Sequence, residues 1–226
     1  MKTYCLTSDK YNWCIGPFLH QWKKYAHNWD ITVAGFTKPD IDCEFVSIGK
    51  FEDYPVSKWS DALIKLLKMT KDKYVCLFLE DYWMVRPVPA LKSPAIFLDD
   101  SELIIRFDLT SDTMCSGYIK RIESNERYDL FERTNKDYSL SLQAGVWNKD
   151  FLLDVLIPGE TPWQVELNGS TRLSEKGYRV IGTAQWPVMY TIAVNKGSLD
   201  KTGEWMWPAR TLNNTDWEEL EQEFGI

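Results

Sequence analysis

Lys73-Tyr-Val-Cys-Leu-Phe-Leu-Glu-Asp-Tyr-Trp83 is the stretch that decides the fold. From Tyr74 to Leu79 the residues are apolar, aromatic or β-branched, and the run stops at two adjacent carboxylates, Glu80 and Asp81. A continuous apolar run of this length predicts a strand covered on both faces, as in the middle of a parallel sheet. Ligands of open α/β sheets lie just past the carboxyl ends of such strands. The acidic pair therefore falls where a metal-bound phosphate group would sit. Hard cations such as Mg²⁺ or Mn²⁺ combine carboxylate oxygens with waters and substrate phosphates. The bland alternative is a solvated strand end, with Asp81 capping the following turn.

Outward from this strand, helix and strand signals alternate. Residues 2–7 read as a first strand closing on the polar Thr7-Ser-Asp9. Residues 17–28 carry Phe18, Trp22 and Tyr25 at helical spacing, with Pro17 near the first turn. Residues 31–36 and 45–48 read as strands. Ser57 is a candidate N-cap for a helix through Met69, with Trp59, Leu63, Leu66 and Leu67 on one face. This βαβ rhythm predicts an α/β fold with a mixed, mainly parallel, Rossmann-like sheet flanked by helices and right-handed crossovers. Beyond it, residues 103–109, 138–147, 178–183 and 188–194 read as strands. Residues 149–156 and 216–224 read as helices, the first ended by Pro158-Gly159. There is no internal repeat and no linker, so residues 1–226 are expected to form one domain.

Composition narrows the function classes. The 226 residues are 44% hydrophobic and 26% charged, ordinary for a globular domain, but eleven are Trp. Most of these are expected in the core, and a minority on faces that stack against ligand rings. A net charge of −7 argues against an extended nucleic-acid interface while leaving room for a small basic cleft. No run of 18 apolar residues occurs, so no membrane span is expected. The first residues, Met1-Lys-Thr-Tyr-Cys-Leu-Thr-Ser-Asp9, lack a signal peptide's apolar core, and a cytoplasmic protein is expected. Cys5, Cys14, Cys43, Cys76 and Cys115 are scattered and odd in number, and there are two histidines. That spacing offers neither a disulfide framework nor a structural zinc site.

Four further groups carry candidate chemistry. In Thr161-Pro-Trp-Gln-Val-Glu166 a Trp and a Glu lie three residues apart in a segment rich in turn formers. Glu166 is a candidate general base toward an acceptor hydroxyl, and Trp163 a stacking wall. A helix carboxylate and a core Trp are the equally plain alternative. In Gln143-Ala-Gly-Val-Trp147 the small residues allow backbone to approach a ligand, or simply pack. Ser8 and Asp9 end the first strand and can reach a base or ribose. Trp59-Ser-Asp61 opens a helix whose N-terminus favours anions.

In order and spacing, three blocks resemble bacterial and phage glycosyltransferase-like proteins of GT-A-type fold. They are Lys58-Trp-Ser-Asp-Ala-Leu63 with the Tyr74–Trp83 stretch, Leu142-Gln-Ala-Gly-Val-Trp-Asn-Lys-Asp-Phe-Leu152, and Thr161-Pro-Trp-Gln-Val-Glu-Leu-Asn-Gly-Ser170. The likeness runs from Leu6 to the Asn195-Lys-Gly turn. It implies transfer of a sugar from a nucleotide-diphosphate sugar to an acceptor hydroxyl, and with Glu166 as the base the expected reaction is an inverting single displacement. It further implies a nucleotide-sugar half, residues 1–110, and an acceptor and catalytic half, residues 111–226. Ser8, Asp9, Trp59, Asp61, Glu80 and Asp81 would serve the donor, and Asp81 would ligate a divalent cation, Mn²⁺ or Mg²⁺, on the diphosphate. Tyr82, Gln143, Trp147 and Trp163 would line the substrate pocket, and Glu166 would be the base. The acceptor class stays open among glycan, lipid-linked glycan, protein and modified nucleobase. One departure is plain: Glu80-Asp81-Tyr82 stands where this fold usually carries Asp-x-Asp.

Two rivals remain at this level. A nucleotidyltransferase is expected to carry a Gly-rich basic loop after the first strand, and here no glycine precedes Gly16. A catalytically silent carbohydrate- or nucleotide-binding protein would use the same tryptophans without turnover.

Overall fold

A computed structural model describes residues 1–88, 98, 102–110, 113, 117–124, 129–134, 138–202 and 210–226. The strands are β1 (Lys2–Leu6), β2 (Thr32–Gly35), β3 (Phe45–Ser47), β4 (Tyr74–Leu79), β5 (Tyr82–Met84), β6 (Ile104–Asp108) and β7 (Ile119–Ser124). They continue as β8 (Asp129–Arg133), β9 (Gly145–Asn148), β10 (Arg179–Thr183), β11 (Tyr190–Ile192), β12 (Val194–Asn195) and β13 (Ser198–Leu199). The α-helices are α1 (Ile15–Tyr25), α2 (Trp59–Met69), α3 (Lys149–Val155), α4 (Pro162–Glu175) and α5 (Asn214–Phe224). Cys115 lies outside the described residues, and the other four cysteines are free thiols.

Among the described residues the main sheet has nine strands, in the order β3-β2-β1-β4-β9-β6-β10-β8-β7. The pairs β1·β2, β2·β3, β1·β4 and β6·β10 are parallel; the pairs involving β9 and β8 are otherwise antiparallel. Seven strands thus point one way, and only β9 and β8 run against them. This is the mixed, mainly parallel α/β sheet that the βαβ rhythm implies.

The deciding strand lies where its sequence puts it, between β1 and β9 with helices over both faces. Cys76 and Phe78 join Phe18, Trp22 and Leu220 of α1 and α5 on one face. Val75 and Leu77 join Leu63, Leu66, Leu67 and Leu152 of α2 and α3, with Val165 and Leu173 of α4, on the other. Residues of both parities are therefore buried, which is why the run has no polar alternation. Among the described residues no helix is long and apolar enough to cross a membrane.

Three local readings are corrected. Ser57 does not cap α2: a short 3₁₀ turn, Val56–Lys58, runs straight into the helix. The helix entrance is instead held by the loop before α4, where Ser60 N donates to Glu160 O and Glu160 N to Ser60 Oγ. The span 138–147 is not one strand, because only its end, from Gly145, joins the sheet. Leu140 N donates to Ser170 Oγ and Leu142 N to Glu166 Oε1, so α4 takes the backbone donors that a sheet partner would have used. The turn-rich segment 161–170 is helical. Thr161 and Gln164 form a reciprocal capping box with Pro162 at the first position, and Gly169 leaves room for Leu140.

Gly145 sits at a close approach between β9 and β6, since a Cβ there would stand 2.6 Å from Arg106 Nε and 3.2 Å from Phe107 O. Gly145→Ala should lower stability by about 1–3 kcal/mol. Urea denaturation reads this directly, and an unchanged midpoint would show that β9 has slack.

Candidate functional site

The parallel strands set the floor of a cleft of about 800 Å³. The β1·β4 ladder ends at the pair Leu6↔Leu79, and β2 ends alongside, with Ala34 opposite Leu6. Thr7 and Ser8, Phe36, and Glu80 and Asp81 therefore leave the sheet on the same edge. β9 runs against β4, so its leading residues, Leu142 and Gln143, arrive at that edge too.

Glu80 and Asp81 are partly accessible from the cleft but otherwise ringed by protein. Desolvation pushes the Glu80 carboxyl up to about 8, with the charge of Asp81 adding to the rise. Desolvation pushes Asp81 up to about 7. Among the described residues no Lys or Arg pairs with either. Two adjacent carboxylates facing a cleft without a counter-charge fit a hard divalent cation whose remaining positions come from water and phosphate. They do not make a closed protein cage, and no group of three potential ligands exists among the described residues.

Positive charge stands elsewhere on the cleft. Lys10 enters from the loop after β1, and Lys196 from the β12–β13 hairpin. The two central residues of that hairpin, Lys196 (φ 51°) and Gly197 (φ 86°), have the left-handed conformations of a type I′ turn. A Cβ on Gly197 would lie 3.7 Å from Lys10 Nζ and from Tyr11 Oη, so the hairpin tip closes against the β1 loop. A third side is apolar: Phe36 stacks on Tyr54 at 5.5 Å, and Phe51, Val56 and Trp59 extend the wall.

The last wall is α4. Trp163 and Glu166 share its cleft face one turn apart. Trp163 is 66% exposed, whereas Glu166 is tied to the Leu142 amide at 2.7 Å. The helix itself is clamped by Arg172, which donates to both oxygens of Glu160 (3.0 and 2.6 Å) and to Val155 O.

Eight of the eleven sequence-named residues line this one cleft: Ser8, Trp59, Glu80, Asp81, Tyr82, Gln143, Trp163 and Glu166. Three do not. Asp9 accepts from Thr37 N (2.9 Å) and Thr37 Oγ1 (2.7 Å), latching the β1 loop to the loop after β2. Asp61 accepts from Gly159 N at 2.7 Å, holding the approach to α4. Trp147, 1% exposed, is packed in the core beneath the Arg106 guanidinium. Its position along the strand keeps it from the cleft, because it sits opposite Val75 in the sheet interior rather than at its edge. Lys10, Lys196 and the Phe36, Phe51 and Tyr54 part of the aromatic wall were not singled out in the sequence, although Trp59 and the Asn195-Lys-Gly turn were. Isolated lysines and phenylalanines carry no spacing signal of their own.

No protein-family model and no curated protein matches the sequence. Among solved structures the chain is similar to S. aureus TarS 1-349, at 14% identity and a TM-score of 0.48, over 82% of this chain and 58% of that one. It is similar to CMP:2-keto-3-deoxy-manno-octonic acid synthetase complexed with CTP, at 12% and 0.46, over 80% and 88%. A third is Mycobacterium tuberculosis glucosyl-3-phosphoglycerate synthase in complex with Mn²⁺, UDP and glucosyl-3-phosphoglycerate, at 14% and 0.43, over 77% and 66%. The chain spans less than two thirds of TarS. At these identities the likenesses concern folding pattern alone, and the functional reading rests on the cleft's own residues.

The acidic pair has a consequence for stability. Its folded pKa values lie above the ordinary ones, so its contribution is fully present below about pH 4 and is lost as pH rises through 7 to 8. Glu80→Gln should therefore gain roughly 1–3 kcal/mol on the parent protein between pH 5 and pH 9. Melting curves across that range would expose a pH-independent difference, which is incompatible with a desolvated carboxyl.

Proposed function

We propose that the protein is a nucleotide-sugar-dependent glycosyltransferase. One observation carries the reading: the cleft keeps its charges apart, with two carboxylates at the strand ends that no Lys or Arg among the described residues pairs, and two lysines on the rim. A ligand complementary to that pattern is a diphosphate with a divalent cation on one side. Asp81 with Glu80 would hold the cation, which supplies Lewis-acid stabilisation of a departing phosphate. Lys10 and Lys196 neutralise the phosphate oxygens. Ser8 and the Phe36–Tyr54–Trp59 wall take the nucleoside, and the floor by Tyr82 and Gln143 takes the sugar.

The chemistry then falls to α4. An acceptor hydroxyl seated against Trp163 attacks the anomeric carbon. The bond from that carbon to the phosphate oxygen breaks, with its electron pair leaving on the diphosphate. Glu166 takes the hydroxyl proton. Its hydrogen bond from Leu142 N fixes the carboxylate before the acceptor arrives. With a separate base and no covalent intermediate, the displacement inverts the anomeric centre.

Thermal shift with nucleoside diphosphates and nucleotide sugars, with and without Mn²⁺, tests the donor half. A ligand at a hundredfold excess over its Kd stabilises by about 2.7 kcal/mol. The shift should need Mn²⁺, weaken below pH 7 as protons compete for the carboxylates, and disappear in Asp81→Asn. No shift with any nucleotide sinks the proposal. For the base, Glu166→Gln should cut transfer at least a hundredfold while leaving the nucleotide-induced shift intact. Saturable binding without turnover in the parent protein would instead identify a silent binding protein.

A further inference from the structure

We infer that Gln143 is a specificity-determining residue, a carboxamide held in one orientation so that it donates a hydrogen bond to an oxygen of the transferred sugar. The inference rests on the nucleotide-sugar reading and adds to it the polarity of one ligand contact.

The orientation follows from a hydrogen-bond chain whose ends have no choice. Ala144 N, which can only donate, lies 3.2 Å from Tyr190 Oη. With that lone pair occupied, the Tyr190 hydroxyl sends its own proton to Gln143 Oε1 at 2.5 Å. That separation belongs to an O–H···O bond and is too short for N–H···O. The atom facing Tyr190 is therefore the carbonyl oxygen. At the other end of the amide, Nε2 donates to Tyr82 Oη at 3.3 Å, and Tyr82 Oη donates to Leu142 O at 3.5 Å. The chain starts at a backbone donor and ends at a backbone acceptor, so its sense is set along its whole length.

Packing prevents the hydroxyls from swinging away. The Tyr82 and Tyr190 rings stack at 4.3 Å with planes 10° apart, and the two residues are 3% and 0% exposed. The Arg210 guanidinium lies 4.9 Å from the Tyr190 ring centroid. Beneath the chain, Arg106 Nη2 donates to Gln143 O at 2.9 Å. Turning the amide over would put an N–H···O contact at 2.5 Å on Tyr190, shorter than such bonds run, and would draw the Tyr82 proton away from Leu142 O.

A primary amide carries two N–H groups, and Tyr82 takes one. Among the described residues no protein group accepts the second, and Gln143 lines the cleft half-buried between Asp81–Tyr82 and Glu166. The ligand atom opposite it must be an acceptor. In the proposed site the phosphates face the lysines and the cation, which leaves a sugar oxygen for Gln143. Tyr190 acts through Gln143 and is a positioning residue.

The test compares sugar-bearing with bare nucleotides by titration calorimetry: UDP-glucose, GDP-mannose and dTDP-glucose, each against its own nucleoside diphosphate. Gln143→Met keeps volume and neutrality and removes the donor. It should bind the bare nucleotide within about twofold of the parent and the matching nucleotide sugar about tenfold more weakly. Tyr190→Phe, which keeps Gln143 but unlocks it, should fall between, again with the bare nucleotide unaffected. Unchanged nucleotide-sugar affinity in both variants overturns the inference while leaving the transferase reading standing. Equal weakening of both ligands also overturns it, because it would make Gln143 a phosphate contact or a structural one. If the parent protein binds none of the nucleotides, the transferase reading fails first and takes this inference with it.

Discussion

The parallel ladder between β1 and β4 ends at Leu6 and Leu79, and the cleft is built from what happens to the chain immediately beyond. Inside the sheet β1 and β4 pair with each other along their length, and helices cover both faces. Just past the last rung one more backbone bond holds each strand, Thr7 N to Ala34 O and Glu80 N to Leu6 O, and polar residues take over: Thr7 and Ser8 on one strand, Glu80 and Asp81 on the next. Apolar packing right up to the last rung strips water from the carboxylates that follow. Their raised proton affinity is thus the electrostatic face of the same burial that holds the sheet together.

A second constraint closes the cleft from above. Leu140 and Leu142 have backbone donors but no sheet partner, and α4 supplies acceptors with Ser170 and Glu166, four residues apart on one helix face. That pairing fixes the distance between helix and sheet edge. It brings Glu166 beside Gln143 and leaves Trp163 standing in solvent at the mouth. Arg172, Glu160, Ser60 and Asp61 clamp the same helix to the entrance of α2, so the two helical walls are one unit. Residues with no access to ligand thereby set the geometry of those that have it.

The hydrogen-bond chain through Tyr190, Gln143 and Tyr82 shows how a fold turns symmetrical chemistry into a directed contact. A free carboxamide offers donor and acceptor equally. Two buried tyrosines, stacked and each tied to a backbone group, leave only one way for it to sit. The polarity of the cleft floor follows from where one backbone N–H and one backbone carbonyl point.

The sequence by itself determined the sheet's centre and the position of the acidic pair. An apolar run too long for an exposed strand, ending at two charges, has few places to go in a compact domain. It also marked the Asn195-Lys-Gly turn, since turn residues act over three or four positions, and it singled out Trp163 and Glu166 without reading the helix that carries them. Tertiary structure decided the rest. Strand pairing turned Trp147 into the core, although it reads as well as Trp163 for a ligand contact. Asp9 and Asp61 found backbone amides on other loops and became latches. Lys10 and Lys196, 186 positions apart, line one cleft because a left-handed turn brings its hairpin against the segment after β1. Local propensity and hydrophobic period are written within a few residues of one another and can be read in line. Whether a polar side chain meets a ligand or another part of the chain depends on partners far away in sequence, and only the folded arrangement brings them into reach.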